Sequence, residues 1–76
     1  MEPRYTVDEN ELSIRFTYHP PKDDQQTVKY ETIRRYAGEF AKFLSEACPD
    51  GREKSLAFTK LEECVMWANA AIARRE

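Results

Sequence analysis

From Arg52 to Arg74 the chain carries no helix breaker, and Leu61, Val65, Ala68 and Ile72 recur along one stripe at helical spacing. Asp50 predicts the N-cap of this helix, with Pro49 before it and Glu53 at the third helical position. A second stripe, Ile33, Ala37, Phe40, Leu44 and Ala47, predicts a helix over about 25–47. Asp23 or Asp24 opens it, Gln26 three residues after Asp23 completes a capping-box pattern, and Cys48-Pro49 closes it. Two helices of about 22 residues span about 33 Å each and, joined by so short a turn, pack antiparallel. Upstream the period changes. Leu12, Ile14, Phe16 and Tyr18 alternate with polar residues, which predicts a half-buried strand. Tyr5-Thr6-Val7 repeats the alternation and Asp8-Glu9-Asn10 suits a turn, so a β-hairpin over about 4–18 is expected, ended by Pro20-Pro21. The expected fold is mainly α: one domain over 1–76, with a β-hairpin or strand at 4–18 and an antiparallel helix pair at 25–47 and 51–74.

The second helix has more apolar surface than one partner can cover. Leu56, Phe58, Cys64, Met66, Trp67, Ala70 and Ala71 surround the main stripe, and a helix apolar nearly all round is buried nearly all round. A 76-residue chain also builds too small a core to be comfortably stable alone, and such chains turn to disulfides, a metal or self-association. Two cysteines make no disulfide framework, and one histidine, with no CxxC or HxxxH spacing, makes no zinc site. Self-association through the helices remains. Within that frame Trp67 reads as an interface or core anchor before a ligand stack, and Asn69 as a register-setting amide. Gly38, which costs a helix about 1 kcal/mol against alanine, reads as a place where another backbone comes close.

Residues 1–20 are too rich in charge for a signal peptide, and no apolar run approaches a membrane span. With two thiols and no export signal, a cytosolic site is expected. The net charge of −2 argues against general affinity for DNA or RNA. Catalysis is also not expected. His19 sits in a loop far along the chain from Cys48 and Cys64, and no nucleophile, base and orienting group converge. No cofactor or metal is implied.

Binding residues are more promising. Gln26, Tyr30 and Arg34 fall at i, i+4 and i+8, just downstream of Tyr18. Aromatic faces stack on bases and a guanidinium pairs with phosphate, so the set suits a nucleotide. The plainer alternative is a cation–π pair of Tyr30 with Arg34 on a solvated face, with Tyr18 merely packing. Arg35, flanked by Glu31 and Glu39, reads as a surface ion-pair ladder. Arg52 and Lys54 open the second helix, where the dipole favours anions; an anion there, or Glu53, would offset their charge.

Thr17-Tyr18-His19-Pro20-Pro21, then Tyr30 with Ile33-Arg34, then Pro49-Asp50, Arg52-Glu53, Ser55-Leu56-Ala57, Thr59-Lys60-Leu61-Glu62-Glu63 and Val65-Met66-Trp67-Ala68-Asn69-Ala70-Ala71-Ile72-Ala73-Arg74 carry a resemblance over residues 12–74. The chain resembles the helical-hairpin family of phage-encoded cyclic-nucleotide sponges, which counter the CBASS and Thoeris defences by sequestering their messengers. The resemblance implies hexamers built from dimers, no catalysis, and two kinds of pocket between protomers. One would hold cyclic dinucleotides or cyclic ADP-ribose isomers. There Tyr18 matches the family's aromatic stacker, and Arg34, after a one-residue gap, stands where the anti-CBASS branch has a phosphate-binding lysine. The other would hold cyclic trinucleotides, with Arg52 matching the arginine used there. Anti-Thoeris members carry a larger N-terminal β region than this chain, so the ligand class stays open.

Taken with that resemblance, the expectation is a non-catalytic oligomer in the cytoplasm of an infected host, expected to be a hexamer, that sequesters cyclic oligonucleotides or cyclic ADP-ribose isomers. Its ligand residues would be Tyr18, Gln26, Tyr30 and Arg34 in one pocket, and Arg52 and Lys54 in the other. The rival reading is an oligomeric helical hairpin that only contacts other proteins.

Overall fold

A computed structural model describes residues 8–76 of the chain as three helices, α1 (Glu9–Phe16), α2 (Asp24–Ala47) and α3 (Arg52–Arg75). The long pair is antiparallel. Lys54 Nζ, near the start of α3, donates to the carbonyl of Ser45, near the end of α2, at 2.8 Å. At the other end, Gln26 Nε2 donates to Glu76 Oε1 at 3.1 Å and Lys29 Nζ to Glu76 Oε2 at 2.6 Å. Lys22 Nζ also donates to the Glu76 carbonyl. Leu61, Val65, Ala68 and Ile72 of α3 are half-buried, as are Ile33, Ala37, Ala41 and Leu44 of α2. Asp23 Oδ1 accepts from the Gln26 amide at 2.9 Å, while Gln26 Oε1 accepts from the Lys22 amide, one residue before the usual capping-box partner.

Two expectations are corrected. Among the described residues there is no strand: the segment read as a strand over 12–18 is mostly helix, so the expected β-hairpin over 4–18 is absent from its described part, and Tyr5-Thr6-Val7 lies outside the described residues. The reason lies in Asp8-Glu9-Asn10. Asp8 is a helix cap, not a turn residue, its Oδ1 accepting from the Glu11 amide at 2.8 Å. Glu9 and Glu11 sit at the positive end of the dipole and Arg15 at the negative end. The Leu12, Ile14, Phe16 alternation is consequently not one buried face: Ile14 is half-buried and Phe16 is 83% exposed. The second correction concerns α3. Its N-cap is Gly51, at a φ of 157° that side chains rarely adopt, with no side-chain cap. Asp50 instead pairs with Lys54 at 2.9 Å.

Eight residues make a marginal helix alone, so α1 needs outside support. Glu11 supplies it. Its carboxylate takes Arg15 Nε at 2.8 Å on its own helix and, across to α3, Arg75 Nη1 and Nη2 at 3.0 and 2.9 Å. A bidentate fork of this kind fixes orientation as well as distance.

Among the described residues no apolar side chain is fully buried, and Gln26 is the one buried residue. The radius of gyration is 16.1 Å, against about 11 Å for a compact domain of this length. The exposed area is 6523 Å², against about 4,800 Å² for a compact monomer of this mass. Val28, Tyr36, Phe40, Phe43, Met66 and Trp67 are each more than half exposed.

The Arg75 and Arg15 guanidiniums hold the Glu11 carboxyl down to about 2, from an ordinary 4.5. A depressed folded value means the stabilisation is complete above the unfolded value and is lost as pH falls through the folded one. Docking of α1 should therefore persist below pH 4.5 and fail only towards pH 2. Amide exchange across Leu12–Phe16, corrected for intrinsic rates, should follow that course. Glu11→Gln should lower protection at neutral pH and flatten the acid step.

Candidate functional site

At Thr17 the backbone leaves α1 and turns extended, with φ −99° and ψ 140°. His19 then folds back on the helix it has just left, its Nε2 donating to the Ile14 carbonyl at 2.6 Å. That bond ties the connector back to α1, and Pro20 and Pro21 follow it. Tyr18, between Thr17 and His19, is left 82% exposed.

Beneath it lies an open hollow of about 390 Å³ lined by Arg15, Thr17, Tyr18, His19, Tyr30, Asn69, Ala70, Ala73 and Arg74. Small side chains on α3 make the space: Asn69, Ala70, Ala73 and Arg74 fall one helical turn apart in pairs, and the alanines leave the gap that Tyr18 and Tyr30 flank. Among the described residues no carboxylate lines it. Arg15 Nε is held by Glu11, and Arg74, half-buried, makes no ion pair among the described residues. Asn69 Oδ1 is buried with no hydrogen-bond partner. Such an orphan costs about 1–3 kcal/mol. A second hollow of about 440 Å³ shares Arg15, Ala70 and Arg74 with the first and adds Trp67, Ala71 and Arg75. Phenol rings, a positive rim and no opposing carboxylate are what a planar anionic ligand requires.

Of the residues expected in the first pocket, Tyr18 and Tyr30 come together. Arg34 does not join them in the single chain. It lines a separate apolar groove of about 520 Å³ with Ala37, Gly38, Ala41, Phe58, Leu61, Glu62, Val65 and Met66. A Cβ added at Gly38 would meet nothing within 4 Å, so this groove is open above the glycine. Gln26 is 4% exposed and holds the Lys22 amide and Glu76, with no atom in the hollow. Arg35, not Arg34, makes a cation–π contact, 5.2 Å from the centre of the Tyr36 ring. At the far end of the hairpin Arg52 is exposed, while Lys54 is committed to Ser45 and Asp50 beside a shallow hollow of about 330 Å³.

Arg15, His19, Asn69 and Arg74 line the hollow and were not expected there. Asn69, Ala73 and Arg74 share one helix face, but nothing local in the sequence relates that face to Tyr18; Arg15 was hidden by the strand reading. Among the described residues no cluster of His, Cys, Asp and Glu could hold a metal ion, and no helix is long and apolar enough to cross a membrane.

Because Gln26 is buried and hydrogen-bonded at both amide atoms, Gln26→Ala should cost about 1–3 kcal/mol of stability, measured by denaturant unfolding. An unmoved midpoint would return Gln26 to the list of ligand residues.

A family model described as "Acb2/Tad1, hairpin domain" matches residues 8–73. No curated protein and no solved structure matches the chain.

Proposed function

Since the chain belongs to the Acb2/Tad1 hairpin-domain family of anti-CBASS and anti-Thoeris sponges, we propose that it sequesters cyclic oligonucleotides or cyclic ADP-ribose isomers without chemical change, in the cytoplasm of a phage-infected host. One observation carries this reading: Tyr18 and Tyr30 flank a hollow whose formal charges, among the described residues, are the guanidiniums of Arg15 and Arg74, with His19 beside them. Ring faces meet bases and cations meet phosphodiesters, and nothing in the hollow is arranged to cleave either.

Self-association belongs to the proposal. A hollow of about 390 Å³ is near the lower end of sites that enclose a small ligand, about 300–1,000 Å³. A second copy would close it, bring Arg34 to the ligand from its own groove, and cover Phe40, Met66 and Trp67. Val28, Tyr36, Phe40, Phe43, Met66 and Trp67, each more than half exposed, supply apolar surface for that contact. We take the assembly to be a hexamer. Competition with a receptor needs nanomolar binding, about −12 kcal/mol, and a pocket formed between rigid protomers reaches such affinity with little ordering cost. Arg52 and Lys54 constitute the second, trinucleotide pocket of this reading; since Lys54 already bridges Ser45 and Asp50, Arg52 carries most of its free charge.

The test is a thermal-shift panel of cyclic di- and trinucleotides and cyclic ADP-ribose isomers, followed by denaturation and analysis of the released ligand. Tyr18→Ala should abolish the dinucleotide or cyclic ADP-ribose shift and spare any trinucleotide shift. Arg52→Ala should do the reverse, each loss being about 2–5 kcal/mol. The released ligand should be intact; linearised product above the buffer rate would overturn the non-catalytic reading.

A further inference from the structure

We infer that Glu11, which does not itself line the Tyr18 hollow, is its positioning residue: by latching α1 to Arg75 it sets the fraction of molecules in which the hollow exists. The inference rests on the sponge reading for its binding readout alone.

The hollow is a seam between two bodies. Arg15, Thr17, Tyr18 and His19 come from α1 and the connector, and Tyr30, Asn69, Ala70, Ala73 and Arg74 from the long hairpin. The first group travels together, because His19 Nε2 donates to the Ile14 carbonyl of α1 and not to either long helix. Past Pro20-Pro21 the chain belongs to the hairpin: Lys22 Nζ reaches the Glu76 carbonyl and Asp23 caps α2. Among the described residues, the hydrogen bonds that cross from α1 to the long helices are the two from Arg75 to Glu11, at 3.0 and 2.9 Å. Apolar packing adds little to them. No residue of α1 is buried, and Leu12 and Phe16 are 47% and 83% exposed. A helix of eight residues is marginal alone, so the place of α1 depends on that fork.

The plain alternative is an exposed ion pair of no consequence, as most surface pairs are. The geometry argues against it. Glu11 is the less exposed partner, its carboxylate takes both terminal nitrogens of Arg75, and Arg15 braces it from the same helix. A contact of modest strength also has a large effect on an equilibrium that little else holds. Apparent affinity scales with the docked fraction, so loosening the latch weakens binding although no ligand contact is touched.

The test uses the full chain. Trp67, its one tryptophan, lines the neighbouring hollow with Arg15 of α1 and with Arg75, so acrylamide quenching of Trp67 reports undocking with no ligand present. Glu11→Gln, which leaves the walls of that hollow in place, and Arg75→Gln should each raise the quenching. By isothermal titration each should weaken binding of cyclic GMP–AMP, cyclic di-AMP or cyclic ADP-ribose about fivefold or more. Because both act through one fork, the double variant should be no worse than either single. Lys60→Gln, which breaks an exposed pair with Glu63 elsewhere on α3, should change neither readout. Melting curves identify a variant that fails to fold, and each single substitution then stands in for the other. Unchanged quenching, additive losses in the double variant, or raised quenching at full affinity would each overturn the latch and leave the sponge reading standing. A wild type that binds none of these nucleotides overturns the sponge reading, and the quenching of Trp67 still decides the latch.

Discussion

Two 24-residue helices lying side by side can hide one stripe of each other and no more. Everything else about this chain follows from that constraint. With no apolar residue fully buried among those described, the hairpin is held at its ends by polar clasps: Gln26 and Lys29 on Glu76 at one end, Lys54 on Ser45 and Asp50 at the other. The clasps set register; they do not supply the bulk of the stability, since exposed ion pairs are each worth about 1 kcal/mol or less. What remains open is a set of exposed apolar side chains on α2 and α3, Tyr36, Phe40, Phe43, Met66 and Trp67 among them, and a hollow lined by Arg15, Tyr18, Tyr30 and Arg74.

The small helix α1 turns this open end into a site. Asp8 caps it, Glu11 fastens it to Arg75, and His19 folds the connector back onto it. Tyr18 thereby lines one hollow with Tyr30, Arg15 and Arg74. Glu11 does not line the hollow itself, but it pairs with Arg15, which does, as well as with Arg75.

The sequence showed the long helices plainly because their apolar residues repeat over about three to four turns, longer than an accidental pattern. It misled over residues 12–18 for the opposite reason: four alternating apolar residues fit a strand and a short helix about equally well, and periodicity alone does not separate them. The deciding signal was Asp8 with Glu11 three residues later, the same arrangement that marked Asp23 and Gln26. Tyr18 and Tyr30 could be paired from their spacing around the connector. Arg74 could not, because nothing local relates the end of α3 to Tyr18; the antiparallel turn near Gly51 brings them together. Gln26 looked available because its position on α2 faces the right way, and only the far end of the chain, at Glu76, shows it to be occupied.

The central claim is that this hairpin becomes a complete binding site as an assembly of copies holding an unaltered messenger. Native mass spectrometry of the purified chain mixed with cyclic dinucleotides and cyclic ADP-ribose isomers reads both parts at once. The account predicts an oligomer, expected to be a hexamer, whose mass rises by whole numbers of intact ligand. A ligand-free 8.9 kDa monomer throughout the panel would contradict it.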